Sequence, residues 1–180
     1  EDALGAVAHE MGHVFGLPHD NREPWKYIMG NGFRRMRENY LTVGARRPVQ
    51  FSEDNARILA RSRFLAPNPD PADRKSPRVK VEVAGALEAG QEKMEVRVRA
   101  EDDGALAAAL FFVSNKDSVV DGCVLEGGKA ELTRSLPAGP LEEGEFELVV
   151  LVADEGGRLG KRKLKCEVGA AAEAKAPSSE

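Results

Sequence analysis

The sequence predicts a multi-domain chain in which a mainly α and irregular first part is followed by an all-β sandwich of about seven strands. Two observations lead to this fold class. Apolar residues recur at three- and four-residue spacing over residues 2–15 and again over residues 56–65, which is the period of a helix. Beyond a proline-rich segment at residues 67–77 the period changes to two, which is the period of a strand.

Composition and charge narrow the classes of function. The chain has 180 residues, of which 42% are hydrophobic and 31% are charged, as in ordinary soluble proteins. Its formal net charge of -4 argues against a nucleic-acid binder, which needs a basic surface. No apolar run approaches the roughly 20 residues that cross a bilayer, so no transmembrane segment is predicted. We expect Cys123 and Cys166 to be buried thiols, because two cysteines are too few for a disulfide framework.

The first predicted element is a helix over residues 2–15. Its apolar residues follow the pattern of an amphipathic helix with one buried face. They are Leu4, Val7, Ala8, Met11, Val14 and Phe15. Gly16 is predicted to stop this helix. Residues 17–50 have no sustained period, so we expect irregular loops with one short helical piece near residues 33–40.

A second helix is predicted over residues 53–65. Ser52 offers a side-chain cap, and Glu53 and Asp54 place negative charge in the first turn. The prolines of residues 67–77 cannot continue a helix, so this segment is predicted to be a semi-rigid linker. The predicted units are therefore residues 1–66, the linker, residues 78–168 and a disordered tail at 169–180.

Strands are predicted wherever apolar residues alternate with polar ones or form short apolar runs after the linker. The segments are 79–83, 94–98, 107–114, 118–125, 129–136, 145–153 and 158–168. Two of the turns between them look alike, and they contain Asp102-Asp103 and Asp154-Glu155. This repeated unit resembles bacterial immunoglobulin-like and fibronectin-like modules. A calcium site at these acidic turns is a weaker alternative, because two acidic residues per turn are fewer oxygen ligands than calcium takes.

The chemistry of the chain lies in a pattern of histidines near its start. His9 and His13 are four residues apart on the predicted helix, so both imidazoles can reach one metal ion. Glu10 lies beside them and suits a general base that bonds a metal-bound water. After the turn at Gly16, the chain can bring His19 back as a third ligand. Three neutral imidazoles leave a fourth position of Zn²⁺ open, so the pattern predicts one catalytic zinc ion and hydrolysis of an amide.

The run of residues 9–20 resembles the metzincin signature of zinc peptidases. Asp20 directly after the third histidine is more similar to the adamalysin or reprolysin group than to the matrixins. Metzincins also have a methionine turn beneath the metal, and the resemblance places it at residues 27–30 with Met29 as its methionine, while Met36 is the rival. The resemblance further implies that residues 31–34 form the outer wall of a substrate pocket.

The chain departs from the family in three respects. Some metzincins have a tyrosine ligand two residues after the methionine, but Asn31 stands there, so no tyrosine ligand is assigned. Residues 1–66 contain no cysteine, unlike animal reprolysins. The resemblance also implies an upper subdomain before the zinc motif, which this sequence does not include. We therefore expect that an upstream segment has been left out, and that residues 1–180 alone are poorly stable or inactive.

Two functions remain open at this point. The first is a secreted or cell-surface zinc endopeptidase that acts on a protein or peptide and uses the β-sandwich to attach to a surface or substrate. The second is a cell-surface adhesion or binding protein with an inactive or incomplete peptidase part. The intact set of His9, Glu10, His13 and His19 favours the enzyme.

Overall fold

The computed structural model describes residues 3–41, 48–66, 73 and 75–170. The α-helices in this part of the chain are α1 (Ala3–Val14), α2 (Glu38–Leu41) and α3 (Glu53–Arg61). Short 3₁₀ turns lie at Gly32–Arg35 and Ser114–Lys116. The strands are β1 (Arg78–Val83), β2 (Leu87–Glu88), β3 (Met94–Glu101), β4 (Leu106–Val113), β5 (Ser118–Val124), β6 (Lys129–Leu136), β7 (Gly144–Asp154) and β8 (Leu159–Gly169).

The strands form two sheets around a shared core. One sheet has three strands in the order β1-β3-β6, and the other has five in the order β2-β8-β7-β4-β5. Along β3, buried Met94, Val96, Val98 and Ala100 alternate with exposed charged residues, so one face of the three-stranded sheet is turned to the core. The same core contains apolar residues of β4 and β7 from the other sheet.

The two central strands of the five-stranded sheet are covered on both faces. Nearly every residue of β4 is buried, as is the last part of β7. Phe111 and Val150 belong to the core between the sheets, whereas Leu110 and Leu151 belong to a second cluster on the outer face. Burial on both faces explains why these strands are apolar runs rather than alternating patterns.

The helical and irregular segment supplies the cover for that outer face. Leu17, Met29 and Ile58 are 2%, 0% and 2% exposed. They share one buried cluster with Ala108, Leu110, Val119, Leu151 and Ala153 of the sheet. Full burial of an apolar side chain of this size contributes about 1.5–3 kcal/mol. The sheet therefore acts as a platform against which the described part of this segment packs.

The predicted fold class is wrong. The described chain is mostly β, with eight strands, and its α-helices contain only 12, 4 and 9 residues. Between α1 and α3 the described chain consists mainly of bends and turns rather than a mainly α subdomain. The physical reason is that the outer face of the sheet buries the apolar residues of this segment, so the segment needs no helical layer of its own.

The individual helices and strands agree with their predicted positions better than the fold class does. The first helix is confirmed, and the second begins at Glu53 with the Ser52 Oγ accepting the backbone N–H of Asn55 at 3.3 Å. The second helix ends at Arg61, however, four residues earlier than predicted. Every predicted strand segment overlaps an observed strand. The additional strand β2 has two residues, too few for a detectable period.

The predicted buried face of α1 is wrong. The buried residues are Gly5, His9 and Gly12, whereas the large apolar residues on the other side of the helix are exposed. Those exposed residues are Leu4, Val7, Met11 and Val14. A Cβ atom at Gly5 would lie 1.8 Å from the carbonyl oxygen of Phe33, so the glycine lets the helix contact backbone directly. A hydrophobic pattern counts large side chains and therefore misses a face built from glycines.

The predicted linker and tail lie largely outside the described residues, at positions 67–72, 74 and 171–180. The predicted domain boundaries therefore stay predictions. Cys123 in β5 and Cys166 in β8 are free thiols on strands that are not neighbours in the sheet, and Cys166 is the more buried. Burial raises the pKa of both thiols. None of the helices in the described part of the chain has the length and apolar character of a membrane span.

The end of β7 contains a buried carboxyl group. Asp154 is 1% exposed, and its Oδ1 accepts the backbone N–H of Arg158 at 2.8 Å. Its Oδ2 is buried and has no hydrogen-bond partner among the described residues. Burial, opposed by the backbone hydrogen bond and supported by the charges of Asp73 and Asp102, raises the pKa of Asp154 from 3.8 to about 6.

We expect Asp154→Asn to stabilise the protein at pH 7.5. The carboxyl holds its proton up to about pH 6 when folded but only to 3.8 when unfolded, so its stabilising contribution is lost as pH rises through 6. This difference between the folded and unfolded pKa values corresponds to roughly 3 kcal/mol in the free energy of unfolding. Asparagine is neutral at every pH and keeps an oxygen for Arg158. The variant should melt several degrees above the wild type at pH 7.5, and the gain should shrink at pH 5. An equal gain at both pH values would contradict this account.

Candidate metal centre

Helix α1 places His9 and His13 one turn apart, and the chain then reverses sharply. Gly16 has a φ of 85°, a left-handed conformation that suits glycine. The N–H of Leu17 donates to the carbonyl of Gly12 at 3.0 Å, and the N–H of Gly16 donates to the carbonyl of His13 at 2.9 Å. These two hydrogen bonds form a Schellman motif, which ends the helix and satisfies its last carbonyls. The reversal brings His19 to the same side as the helical pair.

Each of the three imidazoles is oriented through its Nδ1 atom. His9 Nδ1 donates to the carbonyl of Ile28 at 2.7 Å, and His13 Nδ1 donates to the carbonyl of Leu17 at 2.9 Å. His19 Nδ1 lies 2.8 Å from Oδ2 of Asp117. A carbonyl or carboxylate oxygen accepts only, so each Nδ1 carries the hydrogen and each Nε2 of a neutral ring presents a lone pair.

The three Nε2 atoms converge. His13 Nε2 lies 3.2 Å from His9 Nε2 and 3.2 Å from His19 Nε2, and the three possible ligand atoms lie within 4.8 Å of one another. Zn–N bonds of about 2.0–2.1 Å at tetrahedral angles separate neighbouring nitrogens by about 3.3–3.4 Å. Lone pairs that face one another at this distance repel unless a cation lies between them. The cluster could therefore bind a metal, and its donor set fits zinc.

The turn that contains Met29 lies directly under helix α1. Met29 is completely buried, and a Cβ atom at Gly12 would lie 2.3 Å from its Sδ. The turn is held by the carbonyl of Tyr27, which accepts the N–H groups of Gly30 and Gly32, each at 3.0 Å. Met29 also accepts the N–H of Asp20 through its carbonyl at 3.0 Å. The turn therefore contacts both the helix and the loop that carries His19.

Asp20 has a structural partner that the sequence did not indicate. It is completely buried, and its two oxygens accept Nε and Nη2 of Arg22 at 2.9 and 2.6 Å. Arg22 Nη1 in turn donates to Asp54 of α3 at 2.8 Å. A paired arrangement of this kind fixes both position and direction of the carboxylate. The loop that contains His19 and Asp20 is thereby connected to helix α3.

Two further predicted residues lie at the edge of the cluster. Phe33 packs its ring against His9 with a centroid distance of 4.7 Å. Glu10 is exposed and makes no hydrogen bond or ion pair with the other described residues. The structure thus brings the three histidines together but does not place the Glu10 carboxylate on them.

Sequence reasoning missed Asp117, which lies 98 residues from His19 along the chain. It occupies an exposed turn before β5 and has no local motif, so only the fold reveals its contact with the histidine. At the acidic turns considered as a calcium site, carboxylates form ion pairs with basic side chains. Asp103 pairs with Lys75 and Glu155 with Arg61, each at 2.6 Å. Among the described residues, the histidines are the one group of three or more potential metal ligands, so calcium gains no support.

No family model matches the chain, and no curated protein sequence matches it. Among solved structures, its fold is similar to that of OgpA from Akkermansia muciniphila. Wild-type OgpA matches 91% of this chain and 49% of its own, with a TM-score of 0.64 and 16% identity. Catalytically inactive OgpA in complex with an O-glycopeptide substrate matches 91% of this chain and 48% of its own, with a TM-score of 0.62 and 16% identity.

The match shows a shared fold, and it extends over both the helical segment and the sheets. A second crystal form of wild-type OgpA has the same TM-score of 0.64 and covers 92% of this chain. This chain spans about half the length of the OgpA chains that it matches. The fold of this chain is therefore one that also occurs as part of a longer chain.

Proposed function

We propose that this protein is a zinc-dependent endopeptidase of the metzincin type, secreted or at the cell surface, and that residues 1–66 are the zinc-binding part of its catalytic domain. The observation that carries the proposal is the convergence of three Nε2 atoms, each ring oriented by an oxygen acceptor at Nδ1. The spacing of His9, His13 and His19 and the likeness in fold to OgpA support it.

The residues of this chain would share the chemistry with the metal ion. His9, His13 and His19 would hold Zn²⁺, which when bound supplies a Lewis acid that polarises a peptide carbonyl and acidifies water. Glu10 would accept a proton from the attacking water and pass it to the leaving nitrogen. The C–N bond breaks, a C–O bond forms, and both protons of water end on the two products. Met29 would form the apolar floor beneath the histidines.

The substrate class that we propose is a peptide with a bulky substituent, such as an O-linked glycan. OgpA was crystallised with an O-glycopeptide substrate. In this chain an open groove of about 790 Å³ runs from Asn21 and Arg22 past Lys116 and Ser118 to the loop before β7 and the start of that strand. The three histidines do not line this groove, but Asn21, which does, donates to the carbonyl of Asp117, the partner of His19. The volume of the groove is within the roughly 300–1,000 Å³ of small-molecule sites.

The test is a cleavage assay with the full-length protein on matched peptides that differ only by an O-glycan. Cleavage should require the metal: it should stop with a zinc chelator and return when Zn²⁺ is added back. Faster cleavage of the glycosylated member would support the substrate class, and equal rates would remove it. Zinc binding without cleavage of any peptide would favour the alternative, a surface binding protein with an inactive peptidase part.

A further inference from the structure

The turn before β5 reaches into the metal centre. Asp117 lies in this turn with φ 43° and ψ 45°, a left-handed conformation that few residues other than glycine adopt. Aspartate tolerates it better than most residues. The Oδ2 atom of Asp117 accepts Nδ1 of His19 at 2.8 Å. The backbone conformation of the turn therefore decides where this carboxylate lies.

Backbone contacts hold the same turn against the loop of the third histidine. The N–H of Val119 donates to the carbonyl of His19 at 2.9 Å. The N–H of Asn21 donates to Oγ of Ser118 at 2.8 Å, and its side-chain Nδ2 donates to the carbonyl of Asp117 at 2.7 Å. With the contact from His19 to Asp117, four hydrogen bonds join the two segments. The position of His19 thus depends on the start of β5.

His19 differs from the other two histidines in its partner. Ile28 and Leu17, which orient His9 and His13, offer neutral carbonyls from within the first 66 residues. His19 alone of the three contacts a carboxylate, and that carboxylate comes from the β part of the chain. A carboxylate on the far nitrogen fixes the ring and increases the basicity of the ligating nitrogen, and loss of such a partner typically weakens metal binding 10–100-fold.

We infer that Asp117 is a positioning residue for the third metal ligand, so that the five-stranded sheet is a structural part of the metal centre. The inference rests on the proposed function, because it assumes that the histidine cluster binds zinc. It also changes the role of the β part: a module whose turn orients a ligand cannot be exchanged or removed as a separate attachment domain without damage to the metal site.

The test measures the zinc dissociation constant of the full chain by competition with a chromogenic chelator. Asp117→Gly removes the acceptor and keeps a residue that tolerates the left-handed conformation, and it should bind zinc about 10–100-fold more weakly. Asp117→Asn keeps an acceptor oxygen without the charge, so its zinc affinity should lie between that of the wild type and that of Asp117→Gly. Glu126→Gln removes one charge from another exposed turn and should bind zinc as the wild type does.

Unfolding of the zinc-free variants separates positioning from folding. Equal melting temperatures with the affinity order wild type, Asp117→Asn, Asp117→Gly support the inference. Wild-type affinity in Asp117→Gly overturns it while leaving the proposed function intact. Weak zinc binding by the wild type itself overturns the proposed function. If Asp117→Gly does not fold, Asp117→Asn provides the test. A wild-type zinc dissociation constant in Asp117→Asn would then show that the charge of Asp117 does not support the metal ligand.

Discussion

Replacement of Glu10 by glutamine is expected to lower peptide hydrolysis at least 100-fold without loss of zinc, because proton transfer by a positioned side chain contributes about 10²–10⁴-fold. Glutamine has the shape of glutamate but cannot accept the proton of the attacking water. The side chain is exposed on α1, so the change should leave the fold intact. The measurement is kcat/KM for a cleaved peptide, together with zinc content, in the full-length protein.

The control for this prediction is a second exposed glutamate that lies away from the cluster. Glu126→Gln removes the same charge and should keep the wild-type rate. Full activity of Glu10→Gln with one bound zinc ion would show that another group is the base. A variant that loses zinc would instead indicate that Glu10 supports the metal rather than the proton transfer.

Replacement of His13 by alanine is expected to weaken zinc binding more than 100-fold, above the 10–100-fold typical of residues that only orient a ligand. His13 Nε2 lies 3.2 Å from Nε2 of His9 and 3.2 Å from Nε2 of His19. Its loss removes the nitrogen that lies close to both of the remaining ligand atoms. A bound ligand stabilises a fold according to its concentration relative to Kd, so the zinc-induced rise in melting temperature should also largely vanish.

Met11→Ala is the matched control, because Met11 is two residues away on the same helix and 49% exposed on its outer side. It should bind zinc with wild-type affinity. The comparison with Asp117→Asn is equally informative, since that variant should keep part of the zinc-induced stabilisation that His13→Ala loses. Unchanged zinc affinity in His13→Ala would contradict assignment of the metal to this cluster.

Prediction from sequence succeeded where the determinants are local. The helix period, the cap at Ser52 and the alternation along β3 each involve residues within one element, so they can be recognised without the fold. It failed for the fold class and for the buried face of α1. Both depend on what covers a surface: the outer face of the sheet buries Leu17 and Ile58, and close approach of backbone replaces apolar cover at Gly5.

The signal for the doubly covered strands was nonetheless present. Residues of β4 and the later part of β7 form unbroken apolar runs, which are typical of strands with cover on both faces. An isolated sandwich with one solvent-exposed face per sheet predicts alternation instead. Such runs are consistent with a further layer on the five-stranded sheet, and Leu17, Met29 and Ile58 belong to that layer.

By itself, the sequence determined which three side chains can meet a metal ion, because His9 and His13 share a helix face and a glycine turn returns His19 within a few residues. Tertiary structure decided how the third ring is held. Asp117 contacts His19 only because the start of β5 packs against the loop that contains His19. No local sequence pattern encodes a contact between residues 98 positions apart.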